Sequence, residues 1–375
     1  MPTSMTFNKV NETIIALLAK ERPSDKDFKA YLRDMFKSCR DTIALLSSDS
    51  IAENLPIGCD MVKLNKELLN STNALLRAYN CYSEGKLITA INIMKKFLAA
   101  DAIKTFNLTH RQLWYRARKT DKSSNGFKAI EMFHIPFEKR TDVVNYRYSI
   151  TGYPCLYIGN TILSCWEEMH TPALDDFVVS RISVKEGIQI KTLDLRIPHI
   201  SSTEPLFSDL SDEERRETNL MLLKSWPLII ACSIKTITPN AHFKYEYIHP
   251  QLLMLALKEQ DADISGVTYT STHVDSNMSD DVNKYTNVAL PVKQVKSKGH
   301  CDSLCNTFSL TRGVPFMEAD IKNVFDMINR LEVTEDGYLS MDSFRDGSAP
   351  YEKTKFGQLE DYLNTSTVLL EDISN

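Results

Sequence analysis

The sequence predicts an α+β protein: a helical N-terminal region, then a mixed sheet with flanking helices. Two observations carry this. Apolar residues recur at helical spacing in the early part of the chain, and from about Leu113 short apolar or alternating runs take over, punctuated by Gly and Pro. The implied organisation is a helical region over 1–108, a central region over 109–295 and a helical or irregular extension over 296–375.

The elements follow in order. Val10, Ile14, Ile15, Leu17 and Leu18 form one helical stripe, and Phe28, Leu32, Met35, Phe36, Ile43, Leu45 and Leu46 a second. Pro23-Ser24-Asp25 separates them and offers Ser24 or Asp25 as a cap. Helices over 61–82 and 87–103 flank the turn Ser83-Glu84-Gly85-Lys86. Strands are expected at Trp114 to Arg118, Tyr146 to Tyr148, Cys155 to Ile158, Phe177 to Val184, Ile188 to Leu195, Ile264 to Thr270 and Thr286 to Val292. Thr161 to Met169 reads as a helix. So does the stretch opened by Ser211-Asp212-Glu213-Glu214, whose acidic residues suit a helix N-terminus, with Pro227 expected to interrupt it. Tyr247 to Lys258 and Ala319 to Leu331 are further helices, and 361–375 is expected to be loosely ordered.

Composition excludes several classes. The chain has 375 residues, 43% hydrophobic and 25% charged, with a formal net charge of −5, the balance of a globular protein without a dominant affinity for nucleic acid. Its eight Cys are scattered, which reads as reduced thiols in a cytoplasmic protein. The N-terminal residues lack a signal peptide's pattern, and no apolar stretch approaches the roughly 20 residues of a membrane span. No metal is expected. His300-Cys301 with Cys305 lacks zinc spacing, and the loop at Glu335-Asp336-Gly337 has Ser343 where calcium needs a bidentate Glu.

The residues with chemical promise lie in the centre. Arg147 stands in Tyr146-Arg147-Tyr148-Ser149. Tyr157, ten residues on, lies in Cys155-Leu156-Tyr157-Ile158-Gly159, and Glu168, eleven further, ends Cys165-Trp166-Glu167-Glu168. Gly266-Val267-Thr268-Tyr269-Thr270-Ser271 closes the set, and Tyr115-Arg116 precedes it. Between Leu113 and Val292 these motifs resemble the RES domain, a family named after an Arg, a Glu and a Ser. Its Arg, Tyr and Glu keep the same two spacings, and its Ser ends a similar Gly-x-x-Tyr-x-Ser strand. Tyr148-Ser149 here replaces the family's usual Trp-Asn.

The resemblance implies a split mixed sheet like that of ADP-ribosyltransferases, with NAD⁺ as substrate. It implies Glu168, Arg147 and Tyr157 as catalytic residues and Arg116, Arg147, Tyr157 and Ser271 as NAD⁺-binding ones. The chemistry suits these residue types. Nicotinamide leaves NAD⁺ neutral, so no general acid is needed, and the difficulty is the positive charge that develops on the ribose. A carboxylate near the 2′-hydroxyl stabilises that charge, a role that falls to Glu168. Its neighbour Glu167 is the rival for the inward position, and the spacing from Tyr157 favours Glu168. Arg116 and Arg147 offer forked donors to the pyrophosphate. Tyr157 offers a flat face and a hydroxyl, and Ser271 a hydrogen bond to the carboxamide or a phosphate. The expected activity is NAD⁺ glycohydrolase or phosphorylase, in a toxin or defence effector. The alternatives are a protein ADP-ribosyltransferase and a non-catalytic module acting through its N-terminal helices. The partners the resemblance implies are NAD⁺ and an antitoxin or immunity protein; the N-terminal helices add a second copy of the chain as a candidate, and hydropathy and charge speak against a membrane or direct nucleic-acid binding.

Overall fold

A computed structural model describes residues 4–100, 103–120, 127–198, 210–238, 240–259, 263–273, 282–316, 351, 354–365 and 368–373. The chain opens with five helices: α1 (Phe7–Leu18), α2 (Phe28–Ile43), α3 (Ser48–Asn54), α4 (Met61–Ser83) and α5 (Leu87–Ala100). Side chains cap α1 to α4, Thr6, Asp27, Ser47 and Asp60 each accepting a backbone N–H of the first turn. Gly85, at φ +75°, makes the turn between α4 and α5 that a residue with a Cβ would resist.

The strands are β1 (Thr105–Leu108), β2 (Trp114–Lys119), β3 (Cys155–Gly159), β4 (Phe177–Val184), β5 (Ile190–Leu195), β6 (Ile264–Thr270), β7 (Thr286–Pro291), β8 (Phe308–Leu310), β9 (Val314–Pro315) and β10 (Glu371–Asp372). They form one mixed sheet in the order β1-β5-β6-β7-β3-β2-β4-β8-β10, with β9 on β4; among the described strands only β5 and β6 run parallel. The remaining helices are α6 (Ala129–Met132), α7 (Ile162–Glu168), α8 (Asp212–Ser233), α9 (Ile248–Glu259), α10 (Asp302–Thr307) and α11 (Lys355–Asn364). The architecture is thus α+β with N-terminal helices.

Strand alternation divides the core. Tyr157, Val267, Tyr269 and Ala289 join a cluster with α8, α9 and the N-terminal helices. Their neighbours Leu156, Ile158, Val288 and Leu290 belong to a second cluster with α6 and α10. A third surrounds α7, where Ile162, Leu163 and Trp166 meet Tyr115, Val179 and the α11 residues Phe356, Leu359 and Leu363.

Three expectations need correction. Tyr146 to Tyr148 is a tight turn, not a strand. Ser149 N–H closes it on Tyr146 O, and the Gln251 side chain donates to Tyr146 O at 3.0 Å. Pro227 does not interrupt α8, which runs through it. Every residue from Leu222 to Ser233 except Lys224 is buried, and burial on all sides outweighs the cost of about 3 kcal/mol for an internal Pro. The end of the chain is ordered over much of its length: α11 packs against α7, and β10 pairs with β8. Here Phe356, Leu359 and Leu363 supply an apolar stripe. The expected helix over 319–331 and the calcium-like loop lie outside the described residues.

Candidate functional site

Strands β2 and β3 share a single residue pair, Tyr115 with Gly159, and then part. Arg116 fills the split. Its Nε donates to Met132 O at 3.1 Å and its Nη1 to Tyr157 O at 2.9 Å. Burial, with Arg118 nearby, lowers its pKa to about 10. Arg116 therefore braces the strand that carries Tyr157.

Arg147 leaves the turn after Asn145 and reaches the end of α8. Its Nη1 donates to Cys232 O and its Nη2 to Ile234 O, both at 3.0 Å. A cation suits the carbonyl end of a helix, where acceptors lack intrahelical partners. Tyr247 packs against the guanidinium at 5.1 Å from its ring centroid. These two bonds use two of the five N–H groups of Arg147.

Tyr157 is half-buried on β3, with Tyr146 edge-on at 6.1 Å. Its hydroxyl lies near that of Ser149, and both are buried without closing a hydrogen bond. Buried polar atoms are rarely left so, and the exceptions gather where a structure stores strain or awaits a ligand.

Glu168 ends α7, a short helix whose N-cap Thr161 accepts Ser164 N–H at 3.0 Å. Its Oε1 accepts from Asn287 Nδ2 at 3.0 Å, and its side chain is half-buried. Glu167 is the more buried of the two: it is 7% exposed, and its Oε2 has no partner. Burial, and then the charge of Glu168, push its carboxyl well above the usual range. Two consecutive left-handed residues, His170 and Thr171 at φ 59° and 47°, follow the helix. Such backbone costs energy and clusters at functional sites.

Tyr157 pairs with Ala289 on β7, and Glu168 is bonded by Asn287 two residues along that strand. Tyr148, pushed far up chiefly by burial, lies within electrostatic reach of both Arg147 and Glu168, and Tyr157 within reach of Glu168. Tyr269 packs against Tyr148 with the rings tilted and their centroids 4.5 Å apart, and it feels the charge of Glu168. Ser271 lies two residues beyond Tyr269; its Oγ accepts His273 N–H at 3.3 Å. His273 stands 5.2 Å from His170, and Glu168 and Arg147 both act on it. Burial lowers its pKa. Arg116 stands behind this group, in the split between the strands.

Spacing alone did not reveal Asn287, Tyr148, Tyr269 or His273. Asn287 sits inside Thr286-Asn287-Val288-Ala289-Leu290, which reads as a core strand, and Tyr148 and Tyr269 read as packing. A buried amide in an apolar strand was the available signal. Outside this site, His134 Nε2 accepts Cys301 N–H at 2.9 Å and His249 Nε2 lies 3.0 Å from Leu75 O, so both rings tie elements together. Among the described residues no group of three His, Cys, Asp or Glu side chains could hold a metal ion, and no helix is long and apolar enough to cross a membrane.

The fold and this group of side chains define an α+β protein with a carboxylate and a tyrosine set against the neighbouring interior strands β7 and β3 of a mixed sheet. The chain is similar to a protein of Bacillus subtilis (strain 168) described as "Putative toxin YopC", 26% identical over 297 residues. The match covers 78% of this chain and 66% of that protein, just under two thirds of its length. No protein-family model and no solved structure matches the chain.

Proposed function

We propose that this chain is an NAD⁺-consuming enzyme that cleaves the nicotinamide–ribose bond, that it acts as a toxin, and that its central region is a RES domain with an ADP-ribosyltransferase-like sheet. One observation carries the reading: Tyr157 pairs with Ala289 on β7, Glu168 is bonded by Asn287 two residues along the same strand, and Tyr146, next to Arg147, meets the Tyr157 ring at 6.1 Å. The parting of β2 from β3 supports the split sheet. The description of the Bacillus relative supports the toxin role. A neutralising antitoxin would then be the natural partner.

In this reading Glu168 steadies the cationic ribose as nicotinamide departs. Arg147 offers its remaining N–H groups to the pyrophosphate. Tyr157 gives the substrate a flat wall, and Arg116 keeps that wall in place from behind. Ser271 borders the site through the His273 turn and offers a hydroxyl to the carboxamide or a phosphate. The test is incubation of purified protein with NAD⁺, with and without phosphate, and chromatography of the products. Free nicotinamide is expected, with ADP-ribose if water is the acceptor or ADP-ribose 1″-phosphate if phosphate is. Transfer of a labelled ADP-ribosyl group to protein would redirect the reading to a transferase. Undiminished NAD⁺ under all these conditions would reject it.

A further inference from the structure

We infer that Asn287 is the positioning residue that aims Glu168 while leaving its negative charge undiminished; this rests on the proposed NAD⁺ cleavage. Asn287 is 3% exposed and lies in the middle of the sheet, paired with Gly159 on one side and Tyr269 on the other. Its amide joins two elements. Nδ2 donates to Glu168 Oε1 at 3.0 Å, and Oδ1 accepts from Ser164 Oγ at 2.9 Å. The orientation is chemically fixed, because an ionised carboxylate only accepts and the atom facing it must be the NH₂ group. Ser164 is held in turn by Thr161, whose hydroxyl donates to Lys284 O at 2.7 Å. One strand residue thus grips both ends of the helix that carries Glu168.

The site is shaped for this amide. A Cβ on Gly159 would come within 2.9 Å of Asn287 Oδ1 and of Cys165 Sγ, so the glycine clears the space the carboxamide occupies. The residue type also matters. A Lys or Arg here would aim Glu168 equally well but would neutralise it. A neutral amide fixes direction and leaves the full charge for a cationic ribose.

The test uses the full-length protein with three substitutions: Asn287→Ala, Asn287→Asp and, as reference, Glu168→Gln. Asn287→Ala should lower kcat for NAD⁺ cleavage on the order of a hundredfold, the scale of a misplaced catalytic group. Its KM should change little, since Arg147 and Tyr157 still bind. Asn287→Asp is isosteric. At acid pH its protonated carboxyl can donate to Glu168 as the amide does, so activity should approach wild type. As the pair loses its shared proton, two carboxylates face each other and activity should fall, giving a descending alkaline limb that wild type lacks. A purely structural role would not produce that limb. Wild-type kcat in Asn287→Ala, or an Asn287→Asp profile parallel to wild type, would overturn the inference. Should wild-type protein release no nicotinamide, the proposed reaction falls instead. The Asn287 assignment is then decided by ¹³C NMR of Glu-labelled protein, with Glu168→Gln identifying the signal. An Asn287→Asp change that leaves the Glu168 titration unmoved sinks it.

Discussion

Arg147 carries two duties that a single substitution will expose together. It is proposed to meet the pyrophosphate, and it bonds the last carbonyls of α8 through Cys232 and Ile234. Arg147→Ala should therefore weaken NAD⁺ binding at least tenfold and also cost about 1–3 kcal/mol of stability, because two carbonyls lose a charged donor. Titration calorimetry and urea unfolding separate the two effects; unchanged affinity would remove the phosphate role. Glu168→Gln should behave differently, abolishing NAD⁺ loss while leaving affinity and unfolding midpoint near wild type, since the side chain is half-buried and its amide oxygen can still accept from Asn287 Nδ2. At this scale the sequence was informative where spacing mattered. Arg147, Tyr157 and Glu168 stand out by intervals that resemble those of a known family, and of the two adjacent glutamates Glu167 is the more buried. Asn287 was not legible, because its meaning lies in a side chain 119 residues away.

The helix bearing Glu168 is capped from a distance. Glu360 on α11 accepts Ile162 N–H at 2.7 Å and the Tyr351 hydroxyl at 2.5 Å, and Asn364 donates to the Tyr115 hydroxyl at 2.8 Å. Burial pushes the Glu360 carboxyl up from 4.5 to about 7. A group whose folded pKa is raised favours the folded state fully below its unfolded pKa, and that contribution is lost as pH rises through the folded value. Thermal stability should accordingly fall between about pH 5 and pH 8, by on the order of 1–3 kcal/mol. Glu360→Gln should flatten the dependence; a slope identical to wild type in calorimetric scans would dismiss Glu360 as its source. Element by element, strong periodicity or alternation was legible, as in α4, α7, β4 and β6. What escaped was set by tertiary partners. Gln251 folds Tyr146 to Ser149 into a turn, surrounding apolar side chains carry α8 through Pro227, and α7 gives α11 a surface to dock on.

Across the whole molecule, one apolar cluster runs from Phe7 through α8 and α9 to Ala289 in the sheet. Arg22, between α1 and α2, and Glu246, just before α9, are both nearly buried and pair at 3.3 Å. Asp194 on β5 is 1% exposed; burial opposes its charge, yet Arg196 and Lys104 hold its carboxyl far below the usual range. Removing residues 1–100 should therefore expose the inner faces of α8 and α9 and yield protein that is rapidly digested in limited proteolysis; a protease-resistant core of the remaining chain would contradict this. The change of texture near Leu113 hinted at two regions, but the pairing of β1 with β5 is a non-local fact that no stretch of sequence displays.

The bond from Ile162 N–H to Glu360 spans 198 residues. Seen from the ribosome, that distance is time. The segment bearing Glu168 emerges long before the side chain that closes its first turn, so a chain still under synthesis holds an unfinished helix where chemistry is proposed to occur. At about 5–20 residues per second the interval is on the order of ten seconds or more. Until Glu360 has been made, the first turn of that helix waits for one of its acceptors.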